Sequence, residues 1–511
     1  MATTKPDSGV EVRHEGAVES VYAGDENRLK PNAIGLWGVI FVAVTGAAPI
    51  SAMLFNVPFA TGFGTGLYTP AAFLFATVIL VIFSIGYVAM ASKIRSAGGF
   101  YTFISHGLGR ELGMAAGITG ALSYALFEVS LLGGFAYFSA TNFNDWFGWE
   151  IPWVLFALAA AALISVLCFF DVELSVKVLG FALIGEVIIL LIFDVLIFGS
   201  GGGPDGIQVE GLNPLKLTDP GVGLAAGVGV FLAFWSWVGF EAVPNYAEES
   251  RNPKHIIPRA TLISVVALGI GYIITSLAFV SAFSEKTLVK DAQNPDGPFF
   301  LAMEDFGTTW LKTLMQILIL TGSFACAMAF HNVAMRYFYA MGREGILPKS
   351  FGRTHPTHRS PYIASAAQTV FAVVIILAWG IGAGFGFKDA FDTAYVRIYT
   401  MMAVQGVVWI LAIQAVCALA VIMWHRRHKH PDSALVVVVC PIIAIVGQVF
   451  AIYLLFANID TLAGTIGYVD LIAPIAVLVV VGAFAYAAVL KRRNREKFDG
   501  IGRMIDKGVT P

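Results

Sequence analysis

Charge is scarce in this chain: Asp, Glu, Lys and Arg make up 13% of its 511 residues, about half the share of an ordinary soluble domain. Neither sign dominates, with 32 Lys and Arg against 34 Asp and Glu and a net charge of -2. The basic residues are scattered over separate loops, which speaks against nucleic-acid binding. Cysteine is equally sparse. Cys168, Cys326, Cys417 and Cys440 each lie in an apolar stretch without metal-ligand spacing, so they read as small buried hydrophobes and no disulfide is expected. Absent too are a phosphate-binding P-loop, a metal-ligand cluster and a nucleophile motif; neither an enzyme nor a resident cofactor is expected. Residues 1–32 hold no apolar core of a signal peptide, and they read as a polar cytoplasmic tail.

Apolar residues fill the space that charge leaves. They make up 57% of the chain, and the mean hydropathy is +0.77, far outside the soluble range. A spanning helix needs about 20 apolar residues, and twelve such segments occur, numbered here as spans 1 to 12: 33–61, 67–91, 113–141, 151–170, 173–199, 221–247, 257–283, 309–340, 361–385, 394–424, 434–457 and 467–490. Lys and Arg collect in alternate connections, at 93–110, 251–259, 336–359 and 426–429, and in the KRRNREK run at 491–497, whereas 141–150 and 457–470 hold almost none. By the positive-inside rule both termini are then cytoplasmic, in a multi-pass protein of the cell membrane. The connections near 200–220 and 284–308 are rich in Gly, Pro and Asp and read as extracellular surface loops. The chain thus divides into a tail at 1–32, spans 1 to 5 at 33–199, spans 6 to 10 at 221–424, spans 11 and 12 at 434–490, and a cytoplasmic tail at 491–511.

Two spans are interrupted in corresponding places. Span 1 carries VTGAAPIS at 44–51 and span 6 carries FWSWVGFEAVP at 234–244, so Gly46 and Pro49 have a counterpart in Gly239 and Pro244. Matching breaks in the first helix of two five-span blocks are the pattern of transporters built from inverted repeats, with substrate held at the breaks. In hydrocarbon an unpaired amide or carbonyl costs several kcal/mol, so an unwound segment needs protein, water or a ligand as partner. The sequence places Gly46 and Ala47 where the span 1 backbone opens, with Thr45 beside them, and Pro49 where the helix restarts. The amides of Ala48, Ile50 and Ser51 then face a carboxylate. In span 6 the carbonyls from Trp235 through Ser236 and Trp237 to Val238, ahead of Gly239, would accept an ammonium group. Together the two describe a site for a zwitterion; a simple pair of kinks is the alternative.

Three longer stretches carry a resemblance. SAGGFYTFISHGLGRELGMAAG at 96–117, GFEAVPNYAEESRNPKHIIPRA at 239–260 and RYFYAMGREGILPKSFGRTHPTHRSP at 336–361 are similar, in this order, to segments of the amino acid, polyamine and organocation transporter superfamily. The likeness covers most of the chain, although GAAPIS is poorer in glycine than the usual span 1 break. It implies an all-α integral membrane protein of twelve helices with the leucine-transporter-like fold, a 5+5 inverted repeat, discontinuous helices 1 and 6, and alternating access. It also singles out Trp235 as matching a tryptophan that packs on substrate in some exchangers. Glu241 resembles the glutamate of the family's GFE motif, tied to coupling or gating, and Glu186 stands where some proton-coupled relatives carry lysine.

Ionisable groups within spans are functional candidates by default. Two readings of Glu186 are open: a carboxyl withdrawn from water that loads and releases a proton, or an ionised group that helps hold Na⁺ beside Ser323. Glu128 in span 3 either meets a cationic group of the substrate or is structural. Tyr124, Trp235, Trp237 and Phe240 are the aromatics placed to close over a substrate. Asp194 reads as structural, Arg397 as snorkelling to the surface, and His331 as a satisfied structural histidine. The leading reading is a secondary transporter of amino acids, permease or exchanger, coupled to protons. An amine or polyamine carrier, resting on Glu128 and on likeness to putrescine carriers, is the alternative, and a non-transporting nutrient sensor is a third. The implied partners are an amino acid or organic amine and the lipid bilayer, with the chain a monomer or homodimer.

Overall fold

The computed structural model describes residues 29, 32–94, 98–170, 172–219, 225–294, 297–428, 431–463 and 467–502. Most of the expected N-terminal tail and the end of the C-terminal tail therefore lie outside the described residues. Within them the chain is helical and no strand occurs, only two isolated bridges, Ile34 with Ser250 and Gly203 with Gly206.

Among the described residues ten helices are long and apolar enough to cross a bilayer: α1 (Leu36–Phe63), α2 (Gly66–Ala91), α3 (Arg110–Phe147), α6 (Ala226–Tyr246), α7 (Pro253–Ala282), α8 (Thr309–Arg343), α9 (Tyr362–Ala383), α10 (Ala390–His428), α11 (Leu435–Ala457) and α12 (Val469–Arg493). The remaining two expected spans coincide with α4 (Trp153–Phe169), at 17 residues just short of that length, and α5 (Val172–Gly199). Both breaks are present, so α1 and α6 are each two half-helices.

Hydropathy located these helices well and their ends less well. α3 runs six residues past its expected end because its stop is set by a cap: Gly148 is left-handed, with φ of 72°, and its N–H bonds to the Asn144 carbonyl at 2.8 Å. The polar residues Thr141, Asn142, Asn144 and Asp145 therefore stay helical although they are outside the apolar run. At the start of α8, the Thr308 side chain accepts from Leu311 N at 3.3 Å, an N-cap that satisfies one of the first-turn amides.

Burial separates centre from rim. In α6, α1 and α3 about nine-tenths of the most apolar window is buried, whereas in α9 and α12 about a fifth is. A helix that is apolar all round and buried all round belongs to the core of the bundle, so the two broken helices lie at its centre and α9 and α12 at its lipid-facing rim. α3 packs most extensively on α8, and α2 on α7.

Two connections carry more structure than expected. The stretch 284–308, read as a surface loop, forms short helices Leu288–Ala292 and Pro298–Phe306, with Leu288, Phe299, Phe300 and Met303 buried. Gln293 Nε2 donates to Gly62 O at 2.6 Å, seating this connection on the end of α1. Its apolar residues sit at helical spacing, a signal that its Gly and Pro content obscured. On the face where Lys and Arg collect, hereafter the basic face, Gly99–Leu108 forms a buried helix between α2 and α3.

Candidate functional site

The first half of α1 is helical through Gly46, and the turn comes one to two residues later than expected. Ala48 has φ of 45° and ψ of 72°, and the second half starts at Pro49. An alanine in the left-handed region costs roughly 1–2 kcal/mol, strain of the sort that collects at functional sites. In α6 the first half ends at Trp235, residues 236–239 turn, and Gly239 at φ of 121° leads into a 3₁₀ half-helix, Phe240–Tyr246. The two breaks touch. A Cβ on Gly239 would come within 2.5 Å of the carbonyl C and O of Gly46, so only glycine allows the backbones to cross this closely.

The backbone groups at the α1 break are mostly satisfied from within the protein, which revises the sequence expectation. Ala48 N–H donates to Thr45 O at 3.0 Å. Ile50 N–H faces Glu186, donating to Oε2 at 3.4 Å. Pro49 has no N–H, so Ser51 is left as the first-turn amide with no hydrogen-bond acceptor among the described residues. Ala47 O accepts from Tyr272 O–H at 2.8 Å and Gly46 O from Cys326 Sγ–H at 3.4 Å. The cause is general: a half-helix terminus in low dielectric must find partners for its amides, and a buried carboxylate is a strong one.

At the α6 break the outcome is complementary. Val238 N–H closes on Trp235 O and Phe240 N–H on Trp237 O. Gly239 N–H does not fold back on Ser236 O; it donates to Glu241 Oε2 at 2.9 Å, while Tyr124 O–H donates to Oε1 at 2.9 Å. Glu241 thereby caps the second half-helix and leaves the carbonyls of Ser236 and Val238 without an N–H donor among the described residues. Each break is thus served by one buried carboxylate, Glu186 at α1 and Glu241 at α6.

A small cavity of about 20 Å³ lies between the two breaks, lined by Gly46, Ala47, Ala48, Ser51, Ala52 and Asn56 of α1, Phe127 and Leu131 of α3, Trp235, Ser236 and Val238 of α6, Cys326 and Phe330 of α8, and Tyr399 of α10. None of these side chains is charged. Asn56 Nδ2 donates to Ser236 Oγ at 2.9 Å, bridging α1 and α6, and Tyr399 O–H reaches Asn56 Oδ1 at 3.4 Å. Away from the basic face the cavity is covered by an aromatic stack, with Tyr399 4.1 Å from Phe55 and 5.5 Å from both Trp235 and Tyr395 between ring centres. Towards the basic face it is floored by Phe330, stacked 4.8 Å from Phe127 and 6.1 Å from Tyr124.

Of the residues the sequence nominated, Gly46, Ala47, Ala48, Ser51, Trp235, Ser236 and Val238 line this cavity, and Thr45, Ile50, Tyr124, Glu128, Trp237, Gly239 and Phe240 do not. Tyr124 lies one to two turns nearer the basic face, engaged with Glu241. Trp237 points to the other side of α6 and packs edge-on against Tyr272 at 4.9 Å. Phe240 meets Phe83.

Glu128 is fully buried outside the cavity: its Oε1 pairs with His331 Nδ1 at 3.0 Å and its Oε2 accepts from Gln368 Nε2 at 2.5 Å. His331 Nε2 meets Ser365 Oγ at 2.8 Å. Of the other polar candidates, Ser323 Oγ lies 3.1 Å from Ser51 Oγ, Asp194 accepts from Thr275, and Arg397 pairs with Asp392 at 2.8 Å. Sequence reasoning missed Phe127 and Leu131 by one turn of α3, and missed Cys326 and Phe330, an i, i+4 pair on α8. Asn56, a polar residue within a span, was a legible signal.

Residues 34–484 match the family described as amino acid permease. The chain belongs to the amino acid permease family. Within it, this permease-family chain is 25% identical over 304 residues to the low-affinity putrescine importer of Escherichia coli strain K12, covering 58% of this chain and 64% of that one. It is 25% identical over 330 residues to the branched-chain amino acid permease of Bacillus subtilis, with 59% and 66% covered, and 24% identical over 396 residues to a vacuolar cationic amino acid transporter of Arabidopsis thaliana, with 72% and 59% covered. In each case the chain spans a little under two thirds of the relative's length. Family membership and the apolar helices make this a multi-pass membrane protein.

Proposed function

We propose that this chain is a secondary transporter of neutral α-amino acids that works by alternating access in the cell membrane, with both termini cytoplasmic. The observation that carries the reading is the cavity at the crossing of the two breaks. Its lining includes Ser51, whose amide has no acceptor, and Ser236 and Val238, whose carbonyls have no N–H donor, among the described residues, with no charged side chain in its wall; this supports a carboxylate at Ser51 and an ammonium at Ser236 and Val238. Backbone groups recognise the part common to all amino acids. The side chain then meets Phe127, Leu131, Phe330 and Val238, an apolar wall that suits a neutral, largely apolar substituent.

The amine reading drew on Glu128, and in this structure that carboxylate is committed to His331 and Gln368 away from the cavity. A dication in the cavity would find no counter-charge there. Relatives that carry putrescine or cationic amino acids do not decide between the readings, because each aligns at about 25% identity. Coupling is assigned to Glu186: its Oε1 has no hydrogen-bond partner among the described residues and its Oε2 holds the Ile50 amide. A proton taken up there would weaken that hydrogen bond and free the start of the outer half-helix for a substrate carboxylate. The alternative coupling ion, Na⁺, would draw on Glu186 and on Ser51 and Ser323, whose hydroxyls are paired.

Uptake and counterflow in proteoliposomes test the proposal, using a panel of neutral, acidic and cationic amino acids and diamines, with imposed pH and Na⁺ gradients. Saturable flux restricted to neutral amino acids is the expected result. Absence of saturable flux for every compound would sink the transporter reading, and preference for diamines would replace the substrate class.

A further inference from the structure

The chain does not stop at α12. Asn494 Oδ1 accepts from Lys497 N at 3.1 Å and caps a short helix, Arg495–Gly500, that turns back along the basic face. Phe498 and Ile501 are only 5% and 2% exposed, so this segment is docked by apolar anchors. Arg110 pairs with Asp499 at 2.5 Å while its guanidinium lies over the Phe498 ring.

At its end the segment makes a convergent contact. Gly502 N–H is 3.0 Å from both Tyr101 Oη and Glu344 Oε2, the Tyr101 hydroxyl itself donates to Glu344, and Gly502 O lies 2.7 Å from His106 Nε2. Burial holds the His106 imidazole below its usual pKa. The ring is therefore neutral near pH 7 and Nε2 carries the proton it donates. Gly502 has φ of 68°, and a Cβ there would come within 2.6 Å of Ser105 Cβ.

These contacts join two elements that flank the second half of α6. Tyr101 and His106 belong to the helix Gly99–Leu108, whose first residue packs against Asn245 of that half-helix. Glu344 follows the end of α8, which is tied to the segment after α6 by Arg336–Glu249 at 2.7 Å and Arg343–Glu248 at 3.1 Å. If the cavity is to open to the basic face, the second half of α6 must part from both neighbours.

We propose that Asn494–Gly502 is a C-terminal strap that clamps the helix Gly99–Leu108 to the end of α8 and so restrains opening of the cavity towards the basic face. Its effect on transport rests on the alternating-access reading above, whereas the clamp itself does not. The strap touches none of the cavity-lining residues, so its release changes the rate of opening and leaves the site intact.

The test uses the full chain and two variants, Gly502→Val, which disrupts the convergent contact, and Asp499→Asn, a milder change that removes the ion pair with Arg110 and the exposed 4.0 Å pair with Arg495. Hydrogen exchange of residues 99–108 in purified protein reads the clamp, and counterflow of a neutral amino acid reads the gate. In Gly502→Val, exchange in 99–108 and the counterflow rate both rise by about fivefold, the size expected for one net hydrogen bond. Asp499→Asn moves both in the same direction by less. Unchanged exchange in 99–108 in both variants would overturn the clamp, as would faster exchange accompanied by slower counterflow, which would make the strap a support for the active form. A wild-type protein without flux for any substrate would sink the transport reading while the exchange data still decide the clamp.

Discussion

Replacing Gly239 by alanine probes the crossing of the two breaks, because two independent penalties fall on one methyl group. The first is conformational: at φ of 121° an L-residue is strained by roughly 1–3 kcal/mol. The second is steric. The new Cβ would lie 2.5 Å from the Gly46 carbonyl carbon and oxygen and 3.0 Å from Ala47 N, and these are backbone atoms that cannot swing aside as a flexible side chain would. Overpacking of that kind costs about 1–3 kcal/mol. Relief requires the α6 break to move off the α1 break, which carries the Ser236 and Val238 carbonyls away from Ser51. If about 3 kcal/mol of the total is expressed at the site, apparent affinity falls by about 100-fold. Saturation kinetics of uptake in proteoliposomes measure this, alongside thermal unfolding in detergent. Gly271→Ala and Gly482→Ala are the controls: both are helical with nothing within 4 Å of the added Cβ, and alanine there is neutral or stabilising by up to about 1 kcal/mol. A Gly239→Ala protein with the KM and unfolding midpoint of these controls would refute the claim that the crossing builds the site.

Three further outcomes are expected. Glu186→Gln abolishes proton-driven accumulation while sparing exchange in part; with one proton per substrate, a one-unit pH gradient supports about tenfold accumulation, and this falls towards unity in the variant. Accumulation at the wild-type level would remove Glu186 from coupling. Leu131→Trp fills the apolar end of the cavity and shifts the uptake ratio of alanine to leucine in favour of alanine by about tenfold or more, measured by competition; an unchanged ratio would place the side-chain pocket elsewhere. Glu249→Gln leaves Arg336, which is 1% exposed, without its carboxylate. Loss of one partner of a buried pair costs about 3–5 kcal/mol, so the unfolding midpoint drops by several degrees, and a midpoint equal to wild type would show that stacking of Arg336 on Tyr246, 4.2 Å away, and its hydrogen bonds to Asn332 suffice.

Particular residues show why the sequence was legible in some respects and opaque in others. The breaks are visible because Gly and Pro change the backbone locally, whatever surrounds them; Gly46, Pro49 and Gly239 mark both to within two residues, whereas Pro244 falls inside the half-helix that follows. The partner of an amide is not a local property. Ile50 N–H was assigned to a substrate carboxylate because nothing in the sequence says that Glu186, 136 residues away, points at it. Glu128 was placed at the cavity because it is ionisable and near the middle of α3; its direction was set by His331 and Gln368 on α8 and α9. Trp237 and Trp235 stand two residues apart at the same break, yet only Trp235 faces the cavity, because the turn at 236–239 sends the other towards Tyr272.

By itself, then, the sequence determined the apolar helices and the position of the two interruptions, since hydrophobic transfer and the backbone limits of Gly and Pro each act over a few residues. Tertiary structure alone decided which half-helix amides remain free, which carboxylate serves which break, and which face of α3 meets the cavity. Those outcomes depend on directions and distances between helices that are far apart in the chain, where a rotation of one helix by a single residue exchanges one neighbour for another.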